Sequence, residues 1–167
     1  DVFFTNIALT CDCSFNARKE IIGGNMTCRA LFVSLRKLAK HITKIQQQNP
    51  ISARVLFDSA RKFSAVRTSG RKKMCYYMGA PEIILSHAKS YIDFDGQIKP
   101  LDKNKIQELI NQNAKQAMRL VATAFSASWV KQDEIPSDLI FISLVAMRDQ
   151  VRPGVSNVIN AMSKSGV

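Results

Sequence analysis

Apolar residues gather in two long runs near the end of the chain, Arg119 to Phe125 and Leu139 to Met147, and both read as strands. A polar loop containing Pro136 separates them. Three shorter strand-like runs lie close together upstream, at Ala53–Phe57, Lys62–Thr68 and Lys73–Met78. The second and third flank Ser69-Gly70 and predict a hairpin. Asp93-Phe94-Asp95-Gly96 predicts a second hairpin turn, between Tyr91-Ile92 and Gln97-Ile98, and Lys19–Ile22 a short strand closed by Gly23-Gly24. Helical spacing appears in between. Thr5–Leu9 reads as the end of a helix. Thr27 is the expected N-cap of a helix to about Lys40, with Ala30, Leu31, Val33, Leu35 and Leu38 on its apolar side. Gln46–Pro50 reads as a polar loop with a proline stop. Pro81 opens a short helix over Glu82–Lys89. Asp102 caps one to about Met118, with Ile106, Leu109, Ile110 and Ala114 on the buried face. A last helix starts at Pro153 and carries Val155, Val158, Ile159 and Met162. Hairpins interspersed with helices imply an α+β fold, a mainly antiparallel twisted sheet flanked by helices, and weigh against a doubly wound parallel one.

Composition narrows the class without choosing a function. Hydrophobic residues make up 46% of the 167, enough for a real core and too many for a disordered tail. The longest apolar stretch, Leu139–Met147, is interrupted by Ser143 and falls well short of the roughly 20 residues of a membrane helix. Asp1–Thr10 has neither a basic start nor a cleavage pattern, and no initiator Met opens the chain, so the expectation is a piece of a longer protein. Lys and Arg number 24 against 13 Asp and Glu, a net charge of +11. That excess favours an anionic partner, but the cations are dispersed, with small clusters at Arg61-Lys62 and Arg71-Lys72-Lys73, and fit a solvated surface equally well. The four cysteines form no CxxC pair, and His41 and His87 have no neighbours at ligand spacing. Free thiols in a reducing compartment and no metal site are expected.

The chemically informative stretch runs from Phe57 to Glu82. Phe57 is followed five residues later by Lys62, and the next strand leads through Met78 into Gly79. A purine site needs an aromatic face, nearby cations and a wall that admits close approach. The same residues also fit a core phenylalanine, a surface lysine and a glycine that merely ends a strand. Spacing leaves both readings open.

The wording of the segments resembles a known family. Phe57-Asp58-Ser59-Ala60-Arg61-Lys62-Phe63-Ser64-Ala65-Val66 is similar to the F-(x)4-R/K-K-x-(M)-S-V stretch of P-type cation pumps. Met78-Gly79-Ala80-Pro81-Glu82 resembles their K-G-A/S-P-E, and Arg119-Leu120-Val121-Ala122-Thr123-Ala124 their R-x-L-A-x-A strand. Asp138 through Pro153 resembles the D-L-x-F-x-G-x-V-G-x-x-D-P-x-R-P return to the phosphorylation domain. These four motifs occur in order over most of the chain, and the wording looks closest to calcium pumps of the plasma-membrane type. The resemblance implies a nucleotide-binding domain over 1–147 and a hinge segment over 148–167 that holds Asp149 and Arg152. It implies ATP, as Mg-ATP in the full enzyme, with Phe57 stacking on adenine, Lys62 beside the ring or phosphates, Arg119 at the phosphate chain and Gly79 admitting the ligand. The implied partners are the phosphorylation and actuator domains of the same chain. No nucleic-acid partner is implied, and contact with the membrane runs only through helices outside this sequence. The implied setting is a cytoplasmic domain of a multi-pass membrane protein. The Asp-Lys-Thr-Gly phosphorylation motif is absent, so this stretch alone is expected to bind nucleotide without turning it over and to carry no catalytic residue.

Two positions depart from the pattern. The lysine before Gly-Ala-Pro-Glu is Met78. The glutamate of the G-(E/D)-x-T-E-x-A-L helix start is Cys28, within Gly24-Asn25-Met26-Thr27-Cys28-Arg29-Ala30-Leu31. By the resemblance, the lost lysine contact costs about 1.5–3 kcal/mol and the lost glutamate acceptor for the adenine amine about 1 kcal/mol more. Met78 would instead offer the base a polarizable apolar surface. A degenerate nucleotide domain kept for interaction, and a basic nucleic-acid-binding domain, stand as rival functions. Cys28 at a helix start reads either as an activated thiolate or as a plain helix residue. Asp133-Glu134 reads as a solvated loop, Trp129 as packing and His87 as surface.

Overall fold

The computed structural model describes residues 2–38, 42–70, 73–131, 134–148 and 154–166. Its elements in chain order are α1 (Val2–Thr10), β1 (Cys13–Phe15), β2 (Ile21–Gly23), α2 (Met26–Leu38), α3 (Ile42–Gln48), β3 (Ile51–Val55), β4 (Phe63–Thr68), β5 (Cys75–Gly79), α4 (Pro81–His87), β6 (Ala88–Ile92), β7 (Ile98–Pro100), α5 (Lys103–Lys115), β8 (Arg119–Ser126), β9 (Leu139–Met147) and α6 (Val155–Lys164). β1 and β2 form a small hairpin, and the other strands form one seven-stranded sheet in the order β3-β4-β5-β8-β9-β6-β7. Neighbours in the large sheet are antiparallel except β6 and β9, which run parallel. The α+β architecture is therefore as the pattern implies.

Helices cover both faces of the central strands, so β4, β5 and β8 are buried almost end to end instead of alternating in and out. On one face Phe63, Ala65, Tyr77, Ala122 and Ala124 pack with Ile84 of α4 and with Leu139 and Phe141 of β9. On the other, Met78 and Val121 pack under Ile7 of α1, Cys11 just beyond it, and Leu31, Phe32 and Leu35 of α2.

Several elements differ from the sequence pattern, each for a local reason. α2 is capped by Asn25, not Thr27: the Asn25 side-chain oxygen accepts the Cys28 N–H at 2.9 Å, and its carbonyl accepts the Arg29 N–H. The buried face of α2 is formed by Cys28, Leu31, Phe32 and Leu35, while Ala30 and Val33 are exposed. Gln46–Gln48 is helical in α3, not a polar loop, because Gln46 Nε2 donates to the carbonyls of Ala8 and Cys13 and docks the helix on α1. Asp102 does cap α5, accepting from the N–H groups of Asn104 and Lys105, yet the helix ends at Lys115 and buries no residue. Ile106 packs partly against the core, whereas Leu109 is exposed. β3 ends at Val55, leaving Leu56 and Phe57 outside it. α6 begins after Gly154 and exposes Val158, Ile159 and Met162. Asp149, Arg152 and Pro153 lie outside the described residues, as do His41, Arg71, Lys72 and Asp133.

One buried polar side chain seats α1 on the sheet. Asn6 is fully buried, and its Nδ2 donates to Tyr77 O of β5 at 3.2 Å and to Ala124 O of β8 at 2.8 Å. Ala124 stands at the register shift between β8 and β9, where the regular ladder is interrupted. Replacing Asn6 by Ala would strip two buried carbonyls of a donor. The expected outcome of Asn6→Ala is a loss of about 2–3 kcal/mol of stability, read from the urea midpoint. A change below about 0.5 kcal/mol would show that the carbonyls are satisfied without it.

Candidate functional site

Where β3 gives way to the loop before β4, an open cavity of about 240 Å3 lies between that loop and the start of α2. Val55, Leu56, Phe57 and Ser64 form one wall, and Thr10, Asp12, Gly24, Asn25 and Cys28 form the other. The volume is a little under the roughly 300 Å3 at which pockets for drug-sized ligands begin, so it suits a ring system better than a whole nucleotide.

The loop wall is held by Asp58. Its carboxylate accepts the N–H groups of Ala60 at 2.9 Å and Arg61 at 3.1 Å, and its carbonyl accepts Lys62 N–H at 2.7 Å. The bonds from Arg61 and Ala60 hold the Asp58 carboxyl below the usual carboxylate range. The turn carries Lys62 into a left-handed conformation, φ 57°, and leaves Phe57 with 51% of its surface exposed at the cavity. Phe57 thus presents a half-bare phenyl face to the cavity from a pinned loop.

The opposite wall is the first turn of α2. Gly23 and Gly24 both have positive φ, and a Cβ on Gly24 would come within 2.3 Å of Cys13 Sγ. The glycine pair lets the chain turn tightly beneath the cysteines and deliver Asn25 to cap the helix. The neighbouring Cys11 thiol first, and then the backbone N–H groups of Asp12 and Asn25, favour the ionised form of Cys28. These outweigh the opposing effects of its own burial and of the Asp12 charge, and bring the Cys28 thiol down to about 7. Cys11 moves the other way, because the neighbouring Cys28 and its own burial both favour its neutral thiol. Burial raises Cys13 to about 11, opposed weakly by the Arg29 charge.

Among the sequence-derived candidates, Phe57 and Cys28 therefore face one cavity. Arg119 is one residue from it: its Nη1 donates to Thr27 Oγ1 at 3.2 Å. Lys62 lies on the same loop as Phe57, but its Nζ reaches Glu82 at 3.3 Å, both side chains being largely exposed. Met78 is buried beneath the cavity, its sulfur 3.6 Å from the Thr10 hydroxyl. Gly79 faces the neighbouring strand, where a Cβ would come within 2.5 Å of Lys62 O and 2.8 Å of Phe63 Cβ. The glycine is thus demanded by the left-handed turn at Lys62, whose carbonyl accepts Ala80 N–H at 2.9 Å.

Asp12, Asn25, Ser64 and Thr10 also line the cavity, and pattern alone does not single them out. The Gly23-Gly24-Asn25 run carries a signal for Asn25, since an Asn after a glycine pair is a strong helix cap. Asp12, between two cysteines, carries none. All four cysteines are free and buried. Among the described residues, no three His, Cys, Asp or Glu side chains are arranged to hold a metal ion, and no helix is long and apolar enough to cross a membrane.

Residues 2–154 match the family described as P-type ATPase, cytoplasmic domain N. The chain belongs to that family. It is 29% identical over 162 residues to calcium-transporting ATPase 8, plasma membrane-type, of Arabidopsis thaliana, an alignment covering 86% of this chain and 15% of the relative. It is 28% identical over 161 residues to a calcium-transporting ATPase of Dictyostelium discoideum, covering 92% of this chain and 14% of that protein. A cation-transporting ATPase of Synechocystis sp. is 26% identical over 149 residues, 86% of this chain and 16% of the relative. The chain thus spans about one seventh of the length of the relatives it matches.

The electrostatics of this N domain give a direct test. Iodoacetamide labelling with peptide mapping, repeated across neutral pH, is expected to modify Cys28 first, the rate rising through a midpoint near 7 as the thiolate forms. Asp12, Arg29 and Arg54 are the charged groups that act on this cysteine cluster. A midpoint near the ordinary thiol value of 9.0 would mean that Cys11 and the backbone do not stabilise the thiolate.

Proposed function

We propose that this N domain binds ATP, with adenine in the cavity between Phe57 and the start of α2, and presents the γ-phosphate to an aspartate in a separate domain of a cation pump. The observation that carries the reading is the half-exposed Phe57 ring, pinned by Asp58 opposite a wall of hydrogen-bonding groups. Adenine stacks on the phenyl face, and its exocyclic amine donates to the Cys28 sulfur or the Asp12 carboxylate across the cavity. The size of the cavity fits the base alone, so ribose and phosphates extend over the open rim.

Two cations border that rim. Lys62 is held by Glu82 in an exposed pair, which contributes about 0–1 kcal/mol and yields readily to a phosphate. Arg119, held at Thr27, is the candidate on the α2 side. Magnesium arrives coordinated by the phosphates, because it retains waters and needs no protein cage. In this reading residues 1–147 hold nucleotide and 148–167 lead toward the phosphorylation domain, the other partner being the actuator domain. Calcium is the proposed cargo, from the printed names of the relatives. The domain by itself binds ATP without hydrolysing it.

The placement of Met78 in the core favours one competing reading, a nucleotide domain whose affinity has decayed and whose surface serves interaction. An ATP titration followed by NMR separates the two. Saturable shifts at Phe57, Cys28 and Asn25 at millimolar ATP support the first reading, and none at that concentration supports the second. Phe57→Ala is expected to weaken binding by about 1–3 kcal/mol while leaving the urea midpoint within about 0.5 kcal/mol, since the ring is half exposed. Unchanged ATP affinity would remove Phe57 as the adenine platform.

A further inference from the structure

The polar side chains that line the cavity separate by depth. Thr10, Ser64 and Cys28 are buried, and the two hydroxyls donate to carbonyls of the fold: Thr10 Oγ1 to Asn6 O at 2.7 Å and Ser64 Oγ to Met78 O at 3.3 Å. Asp12 and Asn25 are exposed and belong to the mouth. Asn25 commits its side-chain oxygen to the Cys28 N–H, which leaves its amide as a donor. The Asp12 carboxylate is held by no hydrogen bond or ion pair among the described residues.

The main chain that carries this carboxylate is fixed on both sides. Before it, Cys11 N–H donates to Ile7 O at 3.1 Å. After it, Cys13 pairs with Gly23 across the β1–β2 hairpin. Gln46 Nε2 ties the two flanks together by donating to Ala8 O and Cys13 O. Gly23 lies against the Asp12 carbonyl, which a Cβ there would approach to 2.5 Å. An acceptor free at its tip and pinned at its stem is already organised for a ligand.

We propose that Asp12 reads the ribose of the bound nucleotide, its carboxylate accepting hydrogen bonds from the 2′- and 3′-hydroxyls. The proposal rests on the ATP-binding reading above. With adenine filling the cavity against Phe57, the sugar is the part that reaches the mouth. A carboxylate there repels phosphate and attracts adjacent hydroxyls, each of which donates to one of its oxygens. The sugar therefore sits on the Asp12 side, and the triphosphate turns toward Lys62 and Arg119. The base amine is left to the Cys28 sulfur, deeper in the same wall.

The test measures Kd by NMR titration for ATP, for 2′,3′-dideoxy-ATP and for purine riboside triphosphate, which lacks the 6-amino group. Each is titrated into the unmutated chain and into Asp12→Ala. All three ligands carry the same triphosphate, so the effect of the lost Asp12 charge on the phosphates cancels between them. On the unmutated chain ATP is expected to bind roughly tenfold more tightly than the dideoxy analogue, the low end for hydrogen bonds to a charged group, because the mouth is open to water. On Asp12→Ala the two are expected to agree within about twofold, while the loss caused by removing the 6-amino group stays as it was. Equal affinity for ATP and the dideoxy analogue on the unmutated chain, or a gap that survives Asp12→Ala, overturns the assignment. If Asp12→Ala instead abolishes the discrimination against purine riboside triphosphate, Asp12 reads the base and the proposal is equally overturned. Should Asp12→Ala fail to fold, Asp12→Asn decides: a neutral amide accepts more weakly, so the gap narrows if Asp12 holds the sugar and stays if it does not. Failure of all three triphosphates to bind at millimolar concentration removes the ATP reading itself, a result distinct from ATP binding that ignores the sugar.

Discussion

The geometry of this domain depends on α1 lying across the junction of β5 and β8, and that placement depends on Asn6. A buried amide is expensive unless its hydrogen bonds are met. Here it meets carbonyls on two adjacent strands, one beside an interruption of the ladder. The bond pair is directional where apolar packing is not, so it fixes both the position and the rotation of the helix. Rotation is what matters for the site. With Asn6 pointing into the sheet, Thr10 donates to Asn6 O at 2.7 Å and stands over Met78, and Cys11 faces α2.

From that anchor the two walls of the cavity are built by different means. The α2 wall is assembled through backbone turns: glycines with positive φ, an Asn cap and a first helical turn packed on α1. The loop wall is assembled through Asp58 and the left-handed Lys62, and Gly79 makes room for it from the adjacent strand. Gly79 therefore acts at one remove. Its lack of a side chain admits the Lys62 carbonyl, and the Lys62 turn in turn sets where Phe57 stands.

Much of the architecture was legible because its long strands are uninterrupted apolar runs and its hairpin turns use Ser-Gly and Asp-Gly, whose chemistry is local. What was not legible came from tertiary contact. α3 reads as a polar tract, and Gln46 stabilises it only through carbonyls of α1 and the β1 segment. The start of α2 was misplaced because Thr27 and Asn25 are both good caps, and only the turn at Gly23-Gly24 decides between them; its buried face, with Phe32 in and Val33 out, is set by packing in the fold. α5 shows the converse: its apolar spacing suggests a buried face, but it lies over the sheet shallowly and leaves Leu109 in solvent. At the cavity, Phe57 was visible through the family wording and Cys28 as a departure from it, while Asp12 and Ser64 join them only by folding.

The two departures from the family wording, Met78 and Cys28, are better understood together than singly. By resemblance they replace a lysine and a glutamate, opposite charges, and in the fold both belong to the cluster beneath and behind the cavity. Removing one member of a buried ion pair costs about 3–5 kcal/mol because the other is left uncompensated, whereas replacing both by apolar groups of similar volume is often neutral. Methionine and cysteine meet that condition, since each packs as a small or flexible hydrophobe. Met78 and Cys28 therefore pack in one apolar cluster with no buried charge left between them, and on the proposed ATP reading the nucleotide meets neither a fixed cation nor a fixed anion at these two positions. In the glutamate's place stands a thiol whose charge is conditional, present when Cys28 is deprotonated and absent when it is protonated. A permanent carboxylate would offer the same charge at every neutral pH; on the proposed reading, a cysteine acceptor makes the site answer to the proton activity around it.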